Sequence, residues 1–222
     1  MNISLEKENF YMLNWLDDYL MGHHGFICGG CFKNILQKQK VKDLDIFFRS
    51  YQDWVDACWY FDSKTVGYTE YPDDEPLSEE DATYYFYYEN DKVKAYKNIK
   101  TGVAIELCCS VFGTPEEIIN GFDFTITKFA YYNEEVEDED GEDTHLEPRI
   151  ICNEKFFEHL HMKRLVIDDR VDYPMSTLER VIRYAKYGYF PCRESKIKLA
   201  KAINELPPER VDVSESLYDG VD

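Results

Sequence analysis

The sequence predicts an α+β fold, in which strands and helices alternate over residues 1–150 and helices predominate after them. Short apolar runs bounded by turn residues, such as Phe26-Ile27-Cys28 before a glycine pair, are typical of buried strands. From residue 153 onward the apolar residues recur mostly at helical spacing. The composition agrees, because a chain of 222 residues that is 44% hydrophobic can bury a large core without disulfides or a structural metal.

Helices are predicted from apolar spacing and from residues that favour helix ends. Apolar positions at helical spacing predict an amphipathic helix over residues 5–21, ending near Gly22. Thr114-Pro115-Glu116-Glu117 combines a capping threonine, a proline at the first helical position and two acids near the positive end of the helix dipole, which predicts a helix start. Further helices are predicted over residues 31–37, 49–60, 153–161, 175–188 and 194–205.

Strands are predicted over residues 25–28, 41–48, 83–89, 92–97, 102–109 and 122–132. In the aromatic strand 83–89, alternate rings should fall on opposite faces, which favours a strand of core and rim residues over a platform for stacking bases. Residues 62–81 contain prolines, glycine and acids and are expected to form a surface excursion. Residues 134–147 are almost wholly acidic and are expected to form a solvated loop.

The net charge and the cysteine content exclude some classes of function and indicate the cellular compartment. The 25 basic and 44 acidic residues give a net charge of −19, which opposes a broad nucleic-acid surface but allows one magnesium-neutralised nucleotide to bind in a local cleft. No apolar run is long enough to span a bilayer, and the amino terminus carries charges where a signal peptide would be apolar. Seven scattered cysteines are typical of a reduced compartment, so we expect a cytoplasmic protein.

The pattern most relevant to chemistry is a glycine pair followed by two aspartates in an apolar strand. Side chains alternate along a strand, so Asp43 and Asp45 should point to one face while Leu44 and Ile46 point to the other. Two adjacent carboxylates repel each other unless a cation lies between them, and Mg²⁺ prefers such oxygen ligands. The Gly29-Gly30 turn, which has no β-carbons, allows backbone N–H groups to approach a triphosphate.

Three stretches, in this order, resemble the motifs of a known superfamily. Gly29 to Asn34 together with Lys42 to Phe47 resembles a Gly-Gly-x-x-Arg-Asp…Lys-Asp-x-Asp signature, and Phe122 to Tyr131 resembles an Arg-Arg-Asp-Phe-Thr strand. Arg180 to Tyr189 resembles a neck helix. The superfamily is that of the DNA polymerase β-like nucleotidyltransferases, and the likeness is greatest to the head and neck of bacterial poly(A) polymerases and CCA-adding enzymes.

The resemblance implies a mixed β-sheet backed by helices, followed by a small helical C-terminal segment. It implies a head over residues 1–150, with the acidic loop near 134–147, a neck-like segment over 151–206 and an acidic tail over 207–222. It also implies an Mg²⁺-dependent enzyme that moves a nucleoside monophosphate from an NTP to an acceptor hydroxyl. The acceptor, whether RNA, protein or a small molecule, is left open.

The same resemblance implies roles for individual residues. Asp43 and Asp45 would hold two Mg²⁺ ions roughly 3.5–4 Å apart, as in two-metal sites. Asp123 would be a third carboxylate or, alternatively, a ribose contact. The implied nucleotide-binding residues are Gly29, Gly30, Cys31, Lys33, Lys42, Arg180, Arg183 and Lys186. Small isolated head-and-neck chains of this kind also resemble products of phages or mobile elements.

Departures from the family motifs argue against CCA addition to tRNA. Gly121 and Phe122 replace the two arginines before Asp123, and the Glu-Asp-x-x-Arg base-reading motif of the neck is absent, with Thr177 near its arginine position. We therefore expect a stand-alone transferase with another acceptor. The alternative is a catalytically inactive nucleotidyltransferase fold whose acidic surface binds a basic protein.

The sequence Cys28-Gly29-Gly30-Cys31 also has the spacing of a redox pair or of half a zinc site. No second Cys pair or His pair at matching spacing accompanies it. A buried strand end for Cys28 and a small turn residue for Cys31 account better for the two cysteines.

Overall fold

The computed structural model describes residues 1–138, 143–168 and 171–207, and it divides into two compact units. The first unit comprises Met1–Gly121 and Phe129–Cys152, and the second comprises Phe122–Lys128 and the chain from Asn153 onward. All but the first residue of the predicted acidic tail lies outside the described residues. The predicted division at residue 150 stays a prediction.

The first unit is built on an eight-stranded mixed sheet with the strand order β1-β8-β7-β2-β3-β6-β5-β4. The strands are β1 (Asn2–Leu5), β2 (Phe26–Cys28), β3 (Asp43–Phe48), β4 (Tyr84–Glu89), β5 (Val93–Asn98), β6 (Ala104–Phe112), β7 (Phe129–Glu137) and β8 (Thr144–Asn153). β3 pairs in parallel with β6, whereas β2 pairs antiparallel with both β3 and β7. The predicted α+β class with a mixed sheet and a helical C-terminal segment is confirmed.

Helices of the first unit are α1 (Cys31–Leu36), α2 (Tyr51–Asp62) and α3 (Pro115–Asn120). α2 covers one face of the sheet, because its Trp54 Nε1 donates to the Leu107 carbonyl at 3.2 Å and its Asp62 accepts from Tyr96 Oη at 2.8 Å. Thr114 caps α3 by accepting from the Glu117 N–H while the Glu117 carboxylate bonds back to the Thr114 N–H, as the predicted start signal requires.

The second unit contains α4 (Phe156–His161), α5 (Pro174–Ala185), α6 (Arg193–Asn204) and a parallel pair of short strands, β9 (Arg164–Leu165) and β10 (Phe190–Pro191). The buried Lys128 forms an ion pair with Asp168 at 3.3 Å, and Asn153 donates to the same carboxylate at 3.1 Å. Thr125 and His159 share a hydrogen bond of 2.7 Å. These polar contacts tie residues 122–128 to the helical segment that follows Asn153.

The helix predicted over residues 5–21 is wrong. These residues form the end of β1 and two 3₁₀ helices, Lys7–Asn9 and Tyr11–Tyr19. Three of the buried residues, Leu13, Leu16 and Tyr19, recur every third position. A 3₁₀ helix has three residues per turn, so this spacing places them on one side of it as well as an α-helix would.

The acidic loop predicted over residues 134–147 is wrong in its described part. β7 and β8 continue as a hairpin whose register runs from Phe129 opposite Cys152 to Glu137 opposite Thr144. Arg149 Nε lies 3.0 Å from Glu134 on the facing strand and its Nη2 lies 2.8 Å from Glu147 on its own strand, so one arginine offsets two acids of the hairpin. Residues 139–142 lie outside the described residues.

The strand predicted over residues 122–132 begins later than expected. Residues Thr125–Thr127 form a 3₁₀ turn, and β7 starts at Phe129. The Thr127 hydroxyl donates to the Phe124 carbonyl at 2.8 Å, a local bond that favours a turn over a strand. Within the described residues, no helix has the length and apolar character needed to cross a membrane.

Candidate active site

The candidate site is built on the central strand β3. Leu44 and Ile46 are fully buried, whereas Asp43 is exposed and Asp45 is partly exposed. The alternation follows from the pleat of the strand, and it places both carboxylates on the face opposite the one that packs on α2. β3 lies inside the sheet between β2 and β6, so its backbone is held on both sides.

A tight glycine turn lies beside these carboxylates. β2 pairs with β3 so that Cys28 stands opposite Asp45, and the chain then turns through Gly29 at a φ of +99°. This φ favours glycine because a β-carbon would be strained there. Gly29 N–H donates to the Phe129 carbonyl at 3.1 Å, and α1 begins at Cys31.

A third carboxylate, which the sequence reading missed, belongs to Glu106 on β6. The parallel register places Glu106 directly opposite Asp45 and Ala104 opposite Asp43. Glu106 therefore shares the face of Asp43 and Asp45, between the buried residues Ile105 and Leu107. A lone acid at an alternate position of an apolar strand was the signal that could have identified it.

The pKa values of Asp45 and Glu106 are both raised. Burial raises the pKa of Asp45 well above its usual range, the nearby carboxylates of Glu106 and Asp43 raise it further, and a hydrogen bond joins Asp45 to Glu106. Burial also raises the pKa of Glu106. Two ionised carboxylates this close repel each other, so in the absence of a cation Asp45 is the member that retains a proton.

The donor set suits a divalent oxygen-binding cation. Asp43, Asp45 and Glu106 supply only oxygen ligands on one face, and Mg²⁺ typically binds one or two carboxylates together with substrate phosphates. Among residues 1–138, 143–168 and 171–207, the side chains of His, Cys, Asp and Glu form no group of three that is arranged to hold a metal ion.

Predicted cationic residues of the first unit lie around this cluster. Lys33 is 6% exposed, and burial lowers its pKa while the nearby Asp43 raises it. Its Nζ donates to the Asn34 side chain. Lys42 is exposed at the start of β3, where its carbonyl accepts from the Ala104 N–H at 2.9 Å. Their predicted contacts with phosphate stay predictions.

Asp123 has its own partners within the second unit. Its Oδ2 lies 2.9 Å from Arg180 Nε and accepts from the buried Thr177 hydroxyl at 2.9 Å. Arg183 lies partly exposed on α5 and Lys186 exposed just after it. The structure thus assigns Arg180 to Asp123, and the predicted roles of Asp123 as a metal ligand and of the helix cations as nucleotide contacts stay predictions.

The cysteines of the CxxC sequence are free and buried. Burial raises the pKa of both thiols, and the carboxylates of Asp45 and Asp43 raise that of Cys31 further. A raised pKa opposes thiolate chemistry and metal binding. Cys28 and Cys31 are therefore best explained as packing residues of the glycine turn, and the predicted contacts of Gly29, Gly30 and Cys31 with a nucleotide stay predictions.

The chain resembles solved structures of tRNA-processing enzymes. A tRNA nucleotidyltransferase complexed with a primer tRNA and an ATP analogue matches with a TM-score of 0.50 and 18% identity, over 93% of this chain and 55% of that one. A tRNA-processing enzyme in apo form matches with a TM-score of 0.49 and 18% identity, over 95% of this chain and 52% of that one. The chain thus spans about half the length of these proteins. No curated protein sequence matches it.

The fold is similar to that of the solved tRNA nucleotidyltransferase, in agreement with the fold that the motif resemblance implied. The sequence model of one family, described as "Gad2: Gabija anti-defense 2 family protein", matches residues 6–163. This match covers more than half of the chain, so the chain belongs to the Gabija anti-defense 2 family.

Proposed function

We propose that this protein is a magnesium-dependent nucleotidyltransferase that moves a nucleoside monophosphate from an NTP to an acceptor hydroxyl, and that this activity underlies an anti-defence role against Gabija. The observation that carries the proposal is the carboxylate cluster of Asp43, Asp45 and Glu106 beside the glycine turn. Burial and the neighbouring acids raise the pKa of Asp45, and burial raises that of Glu106, so keeping these carboxylates together has a cost in stability. Clusters of this kind are characteristic of functional sites.

The proposal gives a role to each residue of the carboxylate cluster and of the glycine turn. Asp43, Asp45 and Glu106 hold the cation and orient the acceptor hydroxyl. When bound, Mg²⁺ would make that hydroxyl more acidic and offset the charge of the phosphates. Gly29 allows the turn, and its own N–H is already bonded to Phe129, so the N–H groups of Gly30 and Cys31 are the backbone donors assigned to the triphosphate.

In the proposed mechanism, binding of a cation to the carboxylate cluster releases a proton. Asp45 retains a proton when no cation is present, and that proton leaves when the cation binds. The ionised carboxylates then accept hydrogen bonds from the acceptor hydroxyl. Lys33 supplies a buried positive charge beside Asp43 that favours the phosphates of the NTP.

Calorimetric titration of each NTP, with and without Mg²⁺, tests the proposal. We expect the wild type to bind at least one NTP in Mg²⁺ and to release pyrophosphate when a cell lysate supplies acceptors. Asp43→Asn and Glu106→Gln should each abolish binding. Glu135→Gln, an exposed acid on β7, is the matched control and should bind as the wild type does. A wild type that binds no NTP in Mg²⁺ would disprove the proposal.

A second candidate function is supported by the family and by the charge. An anti-defence protein can act by binding alone, and a chain of net charge −19 with an acidic β7–β8 hairpin favours a basic protein partner. The two candidates predict different results in cells that carry Gabija. Asp43→Asn should lose anti-defence activity if catalysis is required and should keep it if the fold acts as a binding module.

A further inference from the structure

The predicted alternation of the aromatic strand β4 holds from Tyr84 to Phe86 and breaks after Phe86. Tyr85 pairs with Lys97 and Tyr88 pairs with Ala95, while the register shifts between Phe86 and Tyr88. Lys97 and Ala95 are two residues apart on β5 and share a face, so Tyr85 and Tyr88 share it as well. The shift is a β-bulge at Tyr87, and such a bulge directs neighbouring side chains to one side.

The bulge places three tyrosines and one lysine together. The Tyr87 ring lies 5.5 Å from Lys97 Nζ and 5.2 Å from the Tyr88 ring. Tyr87 is 53% exposed, Tyr85 is 37% exposed, and Lys97 is exposed. We call Tyr85, Tyr87, Tyr88 and Lys97 the tyrosine surface. Tyr84, which is 4% exposed, and Tyr85 divide between core and rim as predicted, whereas Tyr87 and Tyr88 do not continue the alternation.

The tyrosine surface lies on the same face of the sheet as the carboxylate cluster. Ala104 stands opposite Asp43 on one side and opposite Lys97 on the other, and Glu106 stands opposite both Asp45 and Ala95. Two rows of residues therefore cross the sheet from β3 to β4. Neighbouring strands are about 4.8 Å apart, so Lys97 lies about 10 Å from Asp43 along its row.

Tyr88 brings the tyrosine surface into contact with the carboxylate cluster. The Tyr88 hydroxyl lies against Glu106, and burial together with this carboxylate raises the pKa of Tyr88 above its usual range. The tyrosine surface therefore begins at the carboxylate cluster. α2 packs on the opposite face and does not cover it.

Lys97 is the cation of the tyrosine surface and can contact one phosphate, while Tyr85 donates to Glu79 and Tyr88 lies against Glu106. Lys97 makes no ion pair among the residues that the structure describes, although acids outnumber bases 44 to 25 in the chain. A basic protein partner would be repelled by Lys97, because both carry positive charge. Exposed rings beside a cation are the combination that binds single-stranded nucleic acid, through base stacking and phosphate contact.

We propose that the tyrosine surface binds the 3′-terminal nucleotides of a single-stranded polynucleotide acceptor, with a base on Tyr87 or Tyr85 and a phosphate on Lys97. This inference rests on the proposed function, since it places the acceptor end next to the carboxylate cluster. A single lysine contacts phosphate at only one point, so nucleic acid would bind locally and not over a broad surface, as expected for a chain with a net negative charge.

Fluorescence anisotropy with a 5′-labelled single-stranded oligoadenylate of ten nucleotides tests the inference without requiring turnover. Tyr87→Ala should weaken binding about 5- to 150-fold, the range for loss of one stacked base. Lys97→Gln should weaken it and should lower the salt slope of log K by about 0.7, the value for one phosphate on a single strand. The matched control is Phe86→Ala. Phe86 is also 53% exposed, but it pairs with Tyr96 on the opposite face, so binding should not change.

Each other outcome overturns the inference. If the wild type binds NTP in Mg²⁺ but not the oligonucleotide, the acceptor assignment is wrong while the proposed function stands. If Tyr87→Ala blocks transfer of labelled nucleotide to a protein and leaves the oligonucleotide bound, the surface belongs to a protein acceptor. If Tyr87→Ala instead converts a dimer to a monomer in sedimentation, the surface is an interface between two copies of the chain.

Discussion

Two aspartates that the sequence assigns to one metal site, Asp45 and Asp123, have opposite electrostatic surroundings. Asp45 faces the carboxylates of Glu106 and Asp43, and its pKa is raised well above the usual range by burial and by these neighbours. Asp123 forms an ion pair with Arg180 at 2.9 Å and accepts a hydrogen bond from Thr177. A carboxylate with its own cation gains little from a metal ion, whereas a cluster of carboxylates gains much. Charge compensation therefore distinguishes the two sites better than the motif does.

The largest expected effect comes from Asp45→Asn, which should change binding and stability in opposite directions. NTP binding in Mg²⁺ should weaken by at least about 100-fold, because even outer-sphere partners of a metal contribute 10- to 100-fold to its affinity. In the metal-free protein the substitution should raise stability. A raised folded-state pKa means that the ionised carboxylate costs stability above the unfolded pKa, and asparagine removes that cost.

Calorimetry and thermal unfolding in EDTA at pH 7 measure the two effects of Asp45→Asn. Each 1 kcal/mol of gain corresponds to a rise in Tm of about 2–4 °C for a chain of this size. A variant that binds NTP normally and unfolds at a lower temperature would show that Asp45 is a structural residue.

The next largest effect is the pH dependence of cation binding. Because Asp45 retains a proton that a cation must displace, affinity for Mg²⁺ should fall about tenfold per pH unit below the raised pKa. Binding in buffers of different ionisation enthalpy should show release of about one proton, and Glu106→Gln should alter that number. Binding of Mg²⁺ that does not weaken as the pH is lowered would contradict the shared proton.

The smallest effect is expected for Asp123→Ala. It should lower the free energy of unfolding by about 1–2 kcal/mol, since Thr177 loses its acceptor while Arg180, 41% exposed, stays hydrated. Mg²⁺-dependent NTP binding should be unchanged. A double-mutant cycle with Arg180→Ala should give a coupling energy of at least about 0.5 kcal/mol. Loss of NTP binding at unchanged stability would instead make Asp123 the third carboxylate that the resemblance implies.

Much of the fold was predictable from local patterns, and the errors share one cause. The capping box at Thr114 and the strand of Asp43 and Asp45 depend on a few neighbouring residues, so the sequence predicts them well. The acidic residues 134–137 were misassigned because they pair with β8, where Arg149 offsets the charge of Glu134, and local composition does not reveal this pairing. Similarly, the spacing of Leu13, Leu16 and Tyr19 suits two kinds of helix, and packing selected the 3₁₀ form.

The aspartate pair, its alternation against Leu44 and Ile46, and the glycine turn before it follow from residues adjacent in the chain, because strand pleat and turn geometry are local properties. The third carboxylate, Glu106, depends instead on how β6 aligns with β3. The common face of Tyr85, Tyr87 and Tyr88 depends on a bulge in the pairing of β4 with β5. Register between strands that are distant in the chain is set by the packing of the whole sheet, and only the folded molecule specifies it.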